Sequence, residues 1–289
     1  MNMPAPDQFI AKFPKRAPDA HKGDFGHVLV IAGSSGYTGA AYLASQAAIL
    51  SGSGLVTLAV GKSLYPIMAT KLVEVMVKPF FETKDYSLSL LAEKDLLSFS
   101  ERCNCLAIGP GISQNKETQH LVRNLITKLP KPIVLDADGI NAFVGHLDML
   151  GNAQGKLVLT PHPGELARLI EKDVGEVQRK RKDIALNFAN EYNTVLVLKG
   201  YNTIVASPGG ECYINETGNA GMATGGVGDI LTGMIASFIG QGADAFTASI
   251  LGAYFHGLAG DLAQKESGIL SLIATDLLNK LPEALKKLA

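Results

Sequence analysis

Residues 219–242, "NAGMATGGVGDILTGMIASFIGQG", place a single acidic side chain, Asp229, among seven glycines. The apolar run that follows Asp229 predicts a buried helix. Gly225, Gly226 and Gly228 would leave the backbone amides at the start of that helix unobstructed, and the positive end of the helix dipole attracts anions. An acid that only stabilises the first helical turn is the alternative, but such an acid needs no cluster of glycines. The segment therefore indicates a phosphate-binding helix start with a carboxylate beside it.

Asp229 in that position could accept the proton of a hydroxyl group as the hydroxyl attacks the terminal phosphoryl group of a nucleotide. The amides of "GGVG" would stabilise the charge on the transferred phosphate. A free Asp has a pKa of about 3.9, and a helix N-terminus should lower that pKa. We therefore expect an ionised, weakly basic carboxylate that orients the hydroxyl and accepts its proton late. Taken alone, the stretch indicates phosphoryl transfer to a hydroxyl.

Two further polar residues follow predicted strands. His162 lies between two prolines in "TPHPGE" and cannot occupy the interior of a regular helix. A rigid turn would let its ring donate a hydrogen bond to a ligand, and no second His or Cys at metal-ligand spacing accompanies it. Lys199 precedes Gly200 and could reach a phosphate or a ribose, although an ordinary strand-end lysine explains it equally well. The remaining histidines have no comparable context: His21, His27, His120, His146 and His256.

Apolar runs supply the elements that must position these residues. Val, Ile and Leu follow one another in "HVLVIAG", "CLAIGPG", "PIVLDADG" and "KLVLTPHPG", each succeeded by a helical pattern. Such strands are typical of a mostly parallel sheet covered by helices on both faces. "TVLVLKGYNTIVASP" and "ECYINE" lie between turn signals and predict antiparallel strands at one edge. From about residue 226 the chain should be helical, with Pro282 starting a last short helix.

The carboxyl ends of parallel strands are the ligand-binding edge of an open α/β sheet. Five small, polar or glycine-rich segments follow the predicted strands and would line this rim: residues 33–40, 109–111, 136–141, 160–165 and 198–203. The glycine spacing from Gly33 to Gly39 matches neither a P-loop nor a dinucleotide-binding fingerprint. A structural turn explains that loop as well as a functional one does.

Composition argues against several classes of protein. The 26 Lys and Arg residues nearly balance the 27 Asp and Glu residues, so nothing attracts the whole chain to nucleic acid or to an anionic membrane. Cys103, Cys105 and Cys212 are too few for a disulfide framework or a four-cysteine zinc site. Neither a signal peptide nor a convincing membrane span is recognisable, so we expect a cytoplasmic protein. We expect residues 21–289 to form one domain and residues 1–20 an arm across its surface.

Six segments, in this order, resemble the ADP/ATP-dependent NAD(P)H-hydrate dehydratases: "GHVLVIAGSSGYTGAAYLASQAAILSGSGLVTLAV", "LAIGPG", "VLDADGIN", "LTPHPGE", "VLKGYNT" and "GNAGMATGGVGDILTGMIA". The resemblance spans residues 20–285 approximately. It implies a three-layer, ribokinase-like α/β sandwich with a mostly parallel central sheet, helices on both faces and antiparallel edge strands. Fused members of the family carry an epimerase domain. With no room for that domain before residue 20, the chain resembles the stand-alone form.

The resemblance also implies an activity, which is to restore NADH or NADPH from the 6-hydroxy hydrate while consuming ADP or ATP with Mg²⁺. It puts Ala40, Gly111 and His162 on the hydrated nicotinamide nucleotide and Asp229 at the reacting hydroxyl. The implied contacts of the adenine nucleotide are Lys199, Gly200, Tyr201, Asn202, Thr203, Gly225, Gly226 and Gly228. The family further implies a homo-oligomer, with a tetramer favoured, and functional pairing with a separate epimerase.

Mg²⁺ should bridge the phosphate oxygens of the nucleotide and take few direct protein ligands. Asp136, Asp138 and Glu165 are candidates for contacts through water, and Glu165 is the first choice.

Two other functions compete with this interpretation. A ribokinase-superfamily kinase acting on a vitamin-precursor alcohol needs the same "GGVGD" segment, whereas "TPHPGE" and "GSSGYTGAA" favour the dehydratase. A nucleotide sensor without catalysis is a rival from another class, and the presence of Asp229 argues against it.

Overall fold

The computed structural model describes residues 6–288, and their strands form one nine-stranded sheet in the order β3-β2-β1-β4-β5-β6-β7-β8-β9. The strands are β1 His27–Ile31, β2 Leu55–Gly61, β3 Met76–Phe80, β4 Cys105–Ile108, β5 Ile133–Leu135, β6 Leu157–Leu159, β7 Val195–Leu198, β8 Thr203–Ala206 and β9 Cys212–Asn215. All neighbours from β3 to β7 pair in parallel, while β8 and β9 pair antiparallel at one edge. The predicted sheet is therefore confirmed.

The α-helices are α1 Asp7–Ile10, α2 Thr38–Leu50, α3 Tyr65–Lys71, α4 Glu93–Ser100, α5 Lys116–Lys128, α6 Asp138–Asn141, α7 Pro163–Leu169, α8 Val174–Arg179, α9 Arg181–Glu191, α10 Val227–Gly240, α11 Ala245–Ser271 and α12 Ala274–Ala284. Helix α11 is broken at Gly268, which has a positive φ of 73°. None of the helices within residues 6–288 is long and apolar enough to cross a lipid bilayer.

The order of strand addition reverses once, at β1. Strand β1 pairs with β2 on one side and with β4 on the other, so the chain runs outward to β3 and then returns across β1. Crossover connections between parallel strands carry helices that cover the sheet: α2 and α10 pack against each other and against β1, while α9 covers β7 and β8. Such a reversal is where an open α/β sheet binds ligands, beyond the carboxyl ends of its strands.

Two strands, β2 and β3, were not among the predicted ones. Strand β2, "LVTLAVG", is buried like the others, but β3 contains Lys78 and Pro79 and is largely exposed. Proline lacks the backbone N–H that a central strand needs, and an edge strand tolerates its absence. The position of β3 at the sheet edge explains why its sequence does not look like a strand.

The prediction that Pro282 starts the last helix is wrong. Helix α12 begins at Ala274 and contains Pro282 near its end. Its start is stabilised by Asp276, whose Oδ2 accepts a hydrogen bond from the Ile273 amide at 3.1 Å. Leu277, Leu278 and Leu281 are buried, and burial of these side chains offsets the one backbone hydrogen bond that a proline removes.

The described part of the N-terminal arm packs against the rest of the chain. Phe9 is buried, and its ring lies 6.1 Å from that of Tyr213 and 6.2 Å from that of Phe246, measured between centroids. Phe13 meets Phe238 edge-on at 5.3 Å. The aromatic contacts fix the arm to α10, α11 and β9, away from the rim.

Candidate active site

Four ionisable side chains from different rim segments meet beyond the ends of β5, β6 and β7. Asp136 follows β5, Glu165 is the third residue of α7, Lys199 follows β7, and Asp229 is the third residue of α10. We call these four residues the charged cluster. The parallel strands bring the first three to one edge, and α10 starts beside them.

Lys199 is at the centre of the charged cluster. Its Nζ lies 2.7 Å from Oδ1 of Asp136 and 3.8 Å from Oε2 of Glu165. Asp136 is 1% exposed, and its other oxygen, Oδ2, accepts a hydrogen bond from Oγ1 of Thr232 at 2.7 Å. Burial alone would lower the pKa of Lys199, but the carboxylates of Asp136 and Glu165 outweigh burial and raise that pKa. Lys199 is therefore a fixed positive charge.

Asp229 differs from the expectation. Burial, with the nearby Asp136 carboxylate, raises the pKa of Asp229 to about 7, and Lys199 opposes the rise only in part. The expected decrease at a helix N-terminus is therefore wrong. Within residues 6–288 the Asp229 carboxyl makes no hydrogen bond, so hydrogen bonding to the amides of the helix start does not offset the effect of burial on its pKa. A carboxyl group with this pKa is a much better proton acceptor at neutral pH than a free Asp.

The helix start beside Asp229 has the predicted glycines, and they differ in what they do. Gly226 is the N-cap of α10 with φ 92°, a backbone conformation that strains any other residue, and a Cβ there would lie 2.5 Å from Cδ1 of Leu43, which would have to move. A Cβ at Gly228 would lie 3.2 Å from Nζ of Lys199. Gly225 has open space around it. Gly226 thus shapes the turn, and Gly225 and Gly228 leave room for a ligand.

A cavity of about 710 Å³ adjoins this helix start. The predicted nucleotide contacts on its wall are Lys199, Gly200, Tyr201, Asn202, Thr203, Gly225 and Gly228. The turn at residues 199–203 is held by Arg181, whose guanidinium donates to the carbonyls of Leu198 at 3.0 Å and Lys199 at 3.3 Å. Tyr201 at its tip is 90% exposed. The turn is thus held at its base and open towards the cavity.

His162 is at the mouth of the same cavity, on the N-cap of α7, in agreement with the predicted rigid turn. Its Nδ1 accepts from the amides of Gly164 at 3.0 Å and Glu165 at 3.2 Å. Glu165 in turn accepts from the His162 amide through Oε2 at 2.7 Å, which completes a capping box. Because Nδ1 accepts, a neutral ring carries its proton on Nε2. Nε2 can therefore donate to a ligand.

Ala40 and Gly111 lie together at another part of the rim, where β1 and β4 end. A Cβ at Gly111 would lie 3.1 Å from Cβ of Ala40 and 2.7 Å from Cβ of Tyr37. Oγ of Ser34 donates to the Gly111 carbonyl at 2.8 Å. Neither Ala40 nor Gly111 lines the 710 Å³ cavity. The rim thus brings His162 to the cavity but places the other two predicted substrate contacts outside it.

Two of the acidic residues considered for Mg²⁺, Asp136 and Asp138, already have partners. Both oxygens of Asp136 are occupied by Lys199 and Thr232. Asp138 holds the loop after β4, since Oδ2 accepts from the Ser113 amide at 3.1 Å. Over residues 6–288, no group of three or more His, Cys, Asp or Glu side chains is arranged to hold a metal ion. Those described residues therefore form no complete set of protein ligands for a metal ion.

Sequence reasoning missed one wall of the cavity. Residues 215–220 line it and are fixed to α11 by Asp261, which accepts from the Gly218 amide at 3.0 Å and from Nδ2 of Asn219 at 2.9 Å. Gly257 allows the close approach, because a Cβ there would lie 2.2 Å from Oγ1 of Thr217. His256 also lines the cavity, although its sequence context gave no reason to select it. The polar run "NETGN" between a strand and a glycine-rich helix start was the available signal.

Comparison with known proteins identifies relatives of the whole chain. A family model described as NAD(P)H-hydrate dehydratase matches residues 28–283. A bifunctional NAD(P)H-hydrate repair enzyme of Moorella thermoacetica is 45% identical over 278 residues, which are 96% of this chain and 52% of that protein. The ADP-dependent (S)-NAD(P)H-hydrate dehydratase of Bacillus subtilis is 33% identical and covers 99% of both chains. The chain thus spans about half the length of the bifunctional relative.

Solved structures agree with this grouping. The B. subtilis ADP/ATP-dependent NAD(P)H-hydrate dehydratase, co-crystallised with ATP and Mg²⁺, matches with a TM-score of 0.85 and 32% identity over 100% of both chains. Ribokinase of Thermotoga maritima matches with a TM-score of 0.53 at 13% identity, over 89% of this chain and 99% of that one, which shows a shared fold alone. The fold is therefore ribokinase-like. The family model and the B. subtilis enzyme each match most of the chain, which shows that the chain belongs to the NAD(P)H-hydrate dehydratase family.

Proposed function

We propose that the protein removes water from the 6-hydroxy hydrate of NADH or NADPH and restores the reduced nucleotide at the expense of ADP or ATP. The observation that carries the proposal is Asp229, a carboxyl whose pKa is raised to about 7, at a glycine-bounded helix start beside the buried charge of Lys199. This combination suits transfer of a phosphoryl group to a hydroxyl. The names of relatives such as the B. subtilis dehydratase support the identity of the substrate.

The reaction can be written so that each residue has one task. The hydroxyl oxygen of the hydrate attacks the terminal phosphorus, the bond from that phosphorus to the remaining nucleotide breaks, and Asp229 takes the hydroxyl proton. The ring nitrogen then supplies electrons as the carbon–oxygen bond breaks and phosphate leaves. Loss of a proton from the neighbouring carbon forms the double bond of the dihydronicotinamide. Phosphorylation is needed because hydroxide is a poor leaving group.

Residues of this chain would bind the two nucleotides on either side of Asp229. In this proposal Ala40, Gly111 and His162 contact the hydrate, with Nε2 of His162 as the donor. The adenine nucleotide occupies the cavity between the 199–203 turn and the start of α10, where the amides after Gly226 face its phosphates. Lys199 adds a positive charge that is already held in place by Asp136.

Mg²⁺ fits this site as a companion of the nucleotide. Oε1 of Glu165 accepts no hydrogen bond within residues 6–288 and lies 3.6 Å from Nε2 of His162, so it can hold a hydrated ion. When bound, Mg²⁺ would neutralise negative charge on the phosphates. The rest of its coordination would come from phosphate oxygens and water, because the side chains of the described residues form no metal cage.

The proposal also covers the oligomeric state, the cellular location and the companion enzyme. We propose a cytoplasmic homo-oligomer, with a tetramer favoured, that works beside a separate epimerase. Exposed apolar side chains near the β3 edge support association of copies: Val73 is 87% exposed and Phe81 is 58% exposed. Light scattering of the purified protein tests the oligomeric state, and a monomeric mass at micromolar concentration would contradict it.

One assay tests the activity. The purified protein is incubated with NADH hydrate, Mg²⁺ and either ADP or ATP, and the absorbance of reduced nicotinamide is followed together with free phosphate. Recovery of the absorbance with release of one phosphate for each NADH supports the dehydratase. A stable phosphorylated product from a vitamin-precursor alcohol, without NADH recovery, would instead indicate a kinase. Nucleotide binding without turnover of either substrate would indicate a sensor.

A further inference from the structure

One polar atom on the cavity wall has no hydrogen-bonding partner within residues 6–288. His256, on α11, is 7% exposed and lines the cavity. Its Nε2 lies 2.9 Å from the carbonyl oxygen of Val227, the first residue of α10. Because a carbonyl oxygen only accepts hydrogen bonds, Nε2 must carry a proton. One ring nitrogen of His256 is thus used to fasten α11 to the start of α10.

The other ring nitrogen, Nδ1, is an acceptor that faces the cavity. Burial, opposed by the bond to Val227, lowers the pKa of His256 to about 4, so the ring is neutral and Nδ1 has no proton. No donor within residues 6–288 hydrogen-bonds Nδ1. Among the described residues, the side-chain atoms that are both fully buried and without a hydrogen-bonding partner are Oγ of Ser45 and Oγ of Ser51. Nδ1 of His256 lacks a partner but does not belong to this set, so it is not fully buried. It is therefore accessible, and on a residue buried to this degree the accessible space is the cavity.

The side chains around Nδ1 determine which kind of ligand group can bind there. Val227, Leu231 and Ala253 line the same wall and are apolar. A phosphate oxygen is unfavourable there, because it and Nδ1 are both hydrogen-bond acceptors. A flat apolar group that carries an N–H donor fits both Nδ1 and the apolar wall. The adenine base has this form, with an amino group where guanine and hypoxanthine carry a carbonyl oxygen.

We propose that Nδ1 of His256 accepts a hydrogen bond from the amino group of adenine, and that His256 thereby selects adenine nucleotides over nucleotides with a carbonyl at that position. The assignment rests on the proposed function, which needs a nucleotide in this cavity. With hypoxanthine, the carbonyl oxygen would face the lone pair of Nδ1 and leave a buried acceptor without a partner. A site built in this way rejects the wrong base through the unpaired group.

Two variants separate the ligand contact from the contact with Val227. In His256→Gln the side-chain amide can replace Nε2 as the donor to Val227, but it places no acceptor where Nδ1 lies. His256→Asn has the opposite effect, since its amide oxygen replaces Nδ1 and the donor to Val227 is lost. Dissociation constants of ADP, IDP and 2′-deoxy-ADP are measured by titration calorimetry, with Mg²⁺, on the full chain and both variants. Thermal unfolding shows that each variant folds.

We expect the wild type to bind ADP about 10-fold more tightly than IDP, which is the size of one hydrogen bond. The ratio should fall to about 1 in His256→Gln and persist in His256→Asn. Equal binding of ADP and IDP by the wild type, or an unchanged ratio in His256→Gln, overturns the assignment. Wild-type affinity of His256→Gln for 2′-deoxy-ADP, but not for ADP, would place Nδ1 at the ribose and also overturn it. Absence of ADP binding to the wild type would overturn the proposed function as well.

Discussion

The two halves of the rim use different physical interactions. At the ends of β5, β6 and β7, the charged cluster brings Lys199 within 4 Å of the carboxylates of Asp136 and Glu165, largely out of contact with water. At the ends of β1 and β4, the contacts are made by backbone and small side chains, such as the Ser34 hydroxyl bound to the Gly111 carbonyl. One half is defined by charge and the other by shape.

This difference predicts which substitutions each half is sensitive to. A neutral side chain of equal size should disturb the charged half, because electrostatic interactions are strong where water is excluded. The same kind of change should matter little in the other half, where an added methyl group should have the larger effect. Comparing such substitutions tests whether the division is real.

The largest effect is expected for Lys199→Met, which leaves the Asp136 carboxylate, 1% exposed, without its cation. Removing one partner of a buried ion pair typically costs roughly 3–5 kcal/mol of unfolding free energy. Lys128→Met is the matched control, because Lys128 pairs with Glu93 at a more exposed position and should cost no more than about 1 kcal/mol. Urea unfolding of both variants measures the difference. Equal losses would show that Lys199 is not held as a buried charge.

Asp229→Asn should come next and act on the chemical step. Asn has the shape of Asp but cannot accept the hydroxyl proton, so we expect kcat to fall by at least about 10². Nucleotide affinity should persist, because the amides at the start of α10 do not depend on this side chain. Single-turnover kinetics and calorimetric titration with ADP measure the two quantities. Turnover near that of the wild type would show that another group takes the proton.

The raised pKa of Asp229 also makes stability depend on pH. In the unfolded chain an Asp titrates near pH 3.9, whereas in the folded protein Asp229 titrates at about 7. The stability that the protonated carboxyl contributes is therefore full below pH 4 and is lost as pH rises through 7. Asp229→Asn cannot ionise, so its stability relative to the wild type should increase between pH 4 and pH 8, by roughly 4 kcal/mol. Thermal unfolding at both pH values measures this, and a constant difference would contradict the raised pKa.

Much of the fold and of the rim could be predicted because their signals are local. Uninterrupted Val, Ile and Leu runs identified β1 and β4 to β7, and the glycines before Asp229 identified the start of α10. The pKa of Asp229 could not be predicted, because it depends on burial and on Asp136, which reaches the cluster only through the folded sheet. Lys199 is 63 residues from Asp136 in the sequence. A sequence can predict a helix start and its dipole, but it cannot predict that a carboxylate far away in the sequence lies close by in the folded protein.

His256 shows the same limit for binding. In the sequence it is one polar residue in an apolar helix, which is the usual appearance of a core histidine. Only its contact with Val227, 29 residues away, determines which ring nitrogen is left to face the cavity. Ala40 and Gly111, in the half of the rim defined by shape, were selected through the family resemblance, and the pairing of β1 with β4 brings them together.

Gly111→Ala tests the half of the rim that is defined by shape. The substitution adds one methyl group, which would lie 2.7 Å from Cβ of Tyr37, at a backbone position with φ 61°. We expect KM for the hydrate to rise about 10-fold, since a methyl group that cannot be accommodated costs about 1–3 kcal/mol of binding, with little change in nucleotide affinity. Gly145→Ala is the matched control, because Gly145 has a similar φ of 73° with nothing within 4 Å of the added methyl. If both variants, or neither, change KM for the hydrate, contact at Gly111 does not shape the substrate site. If Gly111→Ala weakens ADP binding instead, Gly111 belongs with the nucleotide cavity, and the two halves are not separate.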